Sequence, residues 1–198
     1  MTNFFKPAAI LVAMTTLAAC GGSAEDNFVE TGQRFFAIDD RVSAMAPSGR
    51  NVVQNTSGTA NFSGAALIGY GPRYNTTALV GDANVSVNFN GATSVSGSIR
   101  DVSGVADANV DISGTGQLDN YSGVINLRNG SVGSDNTLDV DYSGTLNGNG
   151  DTIVMDGTLD GTFRGNPAIR AIDIEDVGLG RVNGNSTYIY VGVVAERD

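Results

Sequence analysis

Few residues in this chain can do chemistry. It has one cysteine, Cys20, and no histidine. Ser-His-Asp and Cys-His nucleophiles therefore cannot be assembled. The usual zinc ligands and the His or Cys axial ligands of haem are missing as well. Carboxylates, tyrosines and arginines remain, and their spacing singles out no catalytic pair. The stretch NGNGDTIV (147–154) has the glycine-aspartate texture of a calcium-binding β-roll. One copy cannot build that site, because adjacent turns must stack. The simpler reading is a hairpin loop, with Asp107, Asp135 and Asp151 as ordinary loop residues. No catalytic residue, metal or cofactor is expected.

That leaves the cysteine. Lys6 is the only basic side chain before an apolar run from Ala8 to Ala19. About a dozen residues is too short for a transmembrane helix, which needs roughly 20. A charged start, a short apolar stretch and small residues describe a secretory signal peptide. This one ends Leu17-Ala18-Ala19-Cys20, which resembles the bacterial lipoprotein signal. The resemblance implies a diacylglycerol thioether on Cys20, cleavage before it, and a further acyl chain on the new amine. The alternative is an ordinary signal peptide with a chance cysteine, which would leave a free thiol. Several acyl chains, at about 0.8 kcal/mol per buried methylene, make a permanent anchor. Gly21 stands where an inner-membrane retention signal would place aspartate, so an outer-membrane address is expected in a double-membraned host.

Three segments follow: a signal peptide at 1–19, a tether and N-terminal segment at 20–57, and a domain at 58–198. Loss of Lys6 leaves ten basic against 21 acidic residues, a net charge of −11 with no lysine. Such a surface repels phosphate backbones and argues against nucleic acid as a partner.

The elements that must carry the remaining residues read mostly with period two. Residues 21–30 are small and acidic, which suits a flexible tether. Phe35, Ile38, Val42 and Met45 then share one helical face, with Thr31 as a cap and Pro47 as a stop. A first strand is the competing reading. From Gly58 onward, alternation defines candidate strands around 60–68, 83–89, 95–99, 110–118, 121–127, 138–146, 153–163 and 187–196. A tight turn is expected at Asp119-Asn120, and 165–186 reads as a long connection. Each strand except the last has one apolar and one polar face, as in antiparallel sheets. Glycines recur on the apolar face, as the coiling of a small barrel requires. The fold expected is all-β, an eight-stranded antiparallel barrel, with an open two-sheet sandwich as the alternative. Phe62, Phe89, Tyr121, Tyr142 and Phe163 share the inward phase, so the interior is expected to be filled rather than hollow.

The stretches GTANFSG (58–64), GDANVSVNFNGATSVSGSI (81–99), LDGTFRGNPA (159–168) and YVGVVAERD (190–198) resemble the barrel of transferrin-binding protein B-like lipoproteins. That group includes the factor H-binding protein barrel. The matching positions are Gly161, Phe163, Gly165, Pro167, Ala168, Gly192 and Arg197. The resemblance implies a barrel fold, a lipid anchor and loops displayed to a protein partner.

Three roles follow as expectations. The first is a lipid-anchored, protein-binding module at the outer membrane. The others are a carrier of a small apolar ligand within the barrel and a structural envelope lipoprotein. An enzyme acting through carboxylates is the least supported. Interfaces favour aromatic and arginine anchors. Outside the inward phase, Tyr70, Arg73 and Tyr74 in GYGPRYNT (69–76) offer these, so that loop is the expected contact with its tyrosines exposed; the alternative is that the tyrosines cover a barrel end.

Overall fold

The computed structural model describes residues 23–71, 77–90, 93–106, 118–133 and 136–198. Alternating residues build eight strands: β1 (Thr59–Tyr70), β2 (Thr77–Asn88), β3 (Ser94–Ala106), β4 (Leu118–Val132), β5 (Thr137–Gly148), β6 (Asp151–Arg164), β7 (Ala171–Val182) and β8 (Asn185–Arg197). Each pairs antiparallel with the next, and β8 returns to β1 from Phe62↔Arg197 to Tyr70↔Ile189. The expected eight-stranded antiparallel barrel is the fold.

Membership of the barrel differs from the sequence reading. The expected strand at 110–118 lies outside the described residues up to position 117. Asp119 and Asn120 are no turn; they pair with Gly104 and Ser103 inside β4. The expected long connection at 165–186 contains β7, leaving 165–170 and the 183–184 turn as links. The reason is a change of face within β7. Ile172 and Ile174 point inward and are buried, but the same phase then continues as Asp176, Gly178 and Gly180, while Val177 and Leu179 point outward.

Two hairpins close through two-residue turns, Asn149-Gly150 and Asn183-Gly184, with positive φ at all four positions. Asn-Gly tolerates that geometry, and such turns match the twist of the flanking strands. NGNGDTIV is therefore a hairpin, as its simpler reading held.

The interior is filled. Phe62, Phe89, Tyr121, Tyr142 and Phe163 are all buried in one continuous core cluster. The Phe163 ring centroid lies 5.6 Å from that of Phe89 and 6.4 Å from that of Phe62. Polar side chains alternate outward, as with Asn84, Asp141 and Thr158. An apolar inside and a polar outside reverse the arrangement of barrels that face lipid. Among the described residues no helix is long and apolar enough to cross a membrane.

A helix, α1 (Ala24–Ala44), lies against the outside of this barrel. It overturns the expected tether from Ser23 onward. The Ser23 side chain accepts from the Asp26 backbone and Asp26 reaches back to the Ser23 N–H, a capping box. Thr31 is thus inside the helix and buried, not its cap. Phe35, Ile38 and Val42 do share the buried face, packed on Ala65, Ala171 and Val194, with Met45 partly buried beside them. This explains why β8 is apolar on both faces: Val191, Val193 and Ala195 fill the barrel, and Val194 meets the helix. After the helix, Pro47 bridges to Arg164, and a short α2 (Arg50–Gln54) plugs one barrel end with Val53.

Candidate functional site

The end opposite α2 carries the last residue of β1, the first of β2 and the turns 149–150 and 183–184. Tyr70 stands there, and it is not exposed as expected. It is 5 % accessible, and its hydroxyl donates to Asp151 Oδ2 at 2.9 Å. The reason is phase: Tyr70 continues the inward series of Phe62, Ala66 and Ile68. Its partner Asp151 also accepts from Asn183 Nδ2 at 2.7 Å, which ties the β5–β6 and β7–β8 turns together. Burial raises the Tyr70 phenol well above its ordinary value, and that of Tyr121 beside it. Tyr70 is therefore scaffold for this end of the barrel. Arg73 and Tyr74 lie outside the described residues, as do Cys20, Asp107 and Asp135.

The outer face of β6, β7 and β8 next to that end is different. All four of the exposed large hydrophobic residues among the described residues sit there: Val154, Val177, Leu179 and Tyr188. Leu179 and Tyr188 are directly opposite each other across the β7–β8 ladder. Tyr188 also accepts a backbone hydrogen bond from Gly71 at 3.2 Å, so the patch adjoins the end of β1. A depression of about 210 Å³ opens here, lined by Val154, Asp156, Leu179, Gly180, Arg181 and Ser186. Sequence reasoning missed the patch because β7 was not recognised. The Asn183-Gly184 turn signature was the signal that could have revealed it.

Beneath the patch the barrel wall has an unpaired stretch. β6 and β7 pair at Ile153↔Val182 and Val154↔Arg181, then again from Asp160↔Glu175 to Arg164↔Ala171. Residues 155–159 and 176–180 between them are not paired with each other, although the register is the same on both sides; each keeps its ladder to β5 or β8. On the inner side the Asp176 carboxylate accepts from the Tyr142 hydroxyl at 2.8 Å. It occupies space that a side chain at Gly157 would need. Burial first, and then this carboxylate, push the Tyr142 phenol above its usual range. Asp176 is the inward carboxylate of β7, and it is engaged in structure.

Among the described residues no three Asp, Glu, His or Cys side chains converge to hold a metal ion. A second depression, of about 280 Å³, lies at the opposite end between α2 and residues 167–169. Both depressions are on the outside of the filled barrel. What this arrangement offers chemically is contact: an apolar patch, one guanidinium and flanking carboxylates. No protein-family model, curated protein or solved structure matches this chain.

Proposed function

We propose that the chain is a lipoprotein anchored through Cys20 at the outer membrane, and that its barrel is a non-catalytic protein-binding module of the transferrin-binding protein B-like type. The observation that carries this reading is the filled interior. A single core cluster runs through the barrel, so recognition is left to the outer face and the loops. The apolar patch on β6–β8 supports the same reading, because exposed patches rimmed by polar residues mark interaction sites. Carriage of a small apolar ligand is less favoured, since the ligand would have to displace buried rings such as Phe62 and Phe163.

The anchor is tested by detergent phase partitioning. Wild type is expected in the detergent phase and Cys20→Ser in the aqueous phase; recovery of the mutant with the detergent sinks the anchor. Partner binding is tested by crosslinking in the native host. The mature chain has no lysine, so amine-reactive reagents are unsuitable, and a carbodiimide acting on its carboxylates is used. Recovery of one protein in near-equimolar amount is the expected result. Recovery of none counts against the binding module.

A further inference from the structure

We infer that the outer face of β6–β8 is the docking surface, and that its occupant is a protein segment carrying basic side chains next to apolar ones. This rests on the binding-module reading and assigns that reading a surface and a partner chemistry.

Three observations meet at the same place. Leu179 is 64 % and Tyr188 52 % accessible, the two most exposed large hydrophobic residues among the described residues. They form a direct cross-strand pair, so the two side chains make one contiguous anchor rather than two scattered ones. The depression of about 210 Å³ beside them is walled by Val154 and Leu179. Aromatic and aliphatic anchors beside a recess are the common centre of a binding hot spot.

Charge selects the occupant. Asp156 lines the recess, and Asp160 and Glu175 are exposed further along the same face. Arg181 is the only cation lining the recess. The chain as a whole carries 21 acidic residues. A second copy would bring its own negative charge to this face, and so would an anionic lipid surface. A segment with lysine or arginine beside apolar residues satisfies both parts: the apolar groups cover Leu179 and Tyr188, and the cationic heads reach the carboxylates. Complementary charge of this kind speeds association and excludes wrong partners.

The test places a photoreactive phenylalanine at Tyr188, at Arg73 or at Asp139 in the full chain in native host cells, followed by mass spectrometry of the crosslinked peptide. The expected result is a protein adduct from position 188 and none from 139. The captured peptide should carry Lys or Arg within a few residues of apolar side chains. Leu179→Ser should reduce the adduct from 188 roughly tenfold. Because Leu179 is exposed, its melting temperature should be unchanged. Protein adducts from position 73 alone would overturn the surface but leave the binding module standing. Adducts from neither position would overturn both. An acidic peptide, a lipid or a second copy of the chain at position 188 would overturn the chemistry proposed.

Discussion

The Tyr142 hydroxyl donates to Asp176 Oδ2 at 2.8 Å, joining β5 to β7 across Gly157 of β6. Tyr142 is 2 % accessible, so its hydroxyl has little access to water as a substitute partner. Tyr142→Phe is expected to cost about 1.5–3 kcal/mol in urea unfolding, the range for a hydrogen bond to a charged group. Asp176→Asn keeps an acceptor and should cost less. Unchanged stability in the phenylalanine variant would mean that the bond adds nothing net.

Alkali should unfold the barrel through its tyrosines. Burial raises the phenols of Tyr70, Tyr121, Tyr142 and Tyr190 above their ordinary value of 10.0. A group that is raised on folding gives its full support below the unfolded value, and that support is lost as pH rises above it. The loss therefore begins above about pH 10. Phenolate absorbance of these four residues is expected to rise together with loss of the far-ultraviolet β signal. Complete ionisation while the β signal persists would contradict their burial.

At the opposite end, Phe163 packs on Phe62 and Phe89 with 1 % accessibility. Phe163→Ala should cost about 3–5 kcal/mol by the usual penalty for emptying a core site. Chemical denaturation measures it. A loss under about 1 kcal/mol would mean that the cavity collapses almost completely.

Acid should loosen α1 before it loosens the barrel. Arg41 donates to both Glu196 oxygens, at 3.0 and 2.6 Å. These bonds hold the Glu196 carboxyl below its ordinary value of 4.5. Support from a lowered carboxyl is present above the unfolded value and is lost as pH falls through the folded one. Amide protection factors in the last turns of α1 should drop below about pH 4.5. In Glu196→Gln that pH dependence should be absent. Equal behaviour of the two proteins would remove this ion pair from the account of helix docking.

Much of this architecture was legible because the interior and exterior of the barrel demand different residues at alternate positions. The five inward aromatics follow that rule, and so did their burial. Three departures have physical causes. The start of α1 was hidden because Ser23 and Asp26 look like tether residues unless their three-residue spacing is taken as a capping box. The Gly-Pro sequence beside Tyr70 reads as a loop, although its even number continues the inward phase of β1. β7 escaped recognition because Asp176 and two glycines interrupt its inward face while Val177 and Leu179 face water. The same inversion hid the exposed patch, which only the pairing of β7 with its neighbours brings together with Tyr188.

The order of the strands has a consequence for how the molecule assembles. Seven of the eight ladders join sequence neighbours, and only β1 with β8 links distant parts of the chain. The entropy of loop closure therefore falls almost entirely on one step, and topology of that kind sets folding speed. The helix α1 packs on residues of both closing strands, Ala65 and Val194, and binds Glu196 of β8 through Arg41. It serves as a clasp over the last joint to form. Because Asp198 hydrogen-bonds to Asn61, the beginning and end of the barrel also lie side by side. A circular permutant that links them and opens the chain at Asn183-Gly184 would move that joint into a local hairpin.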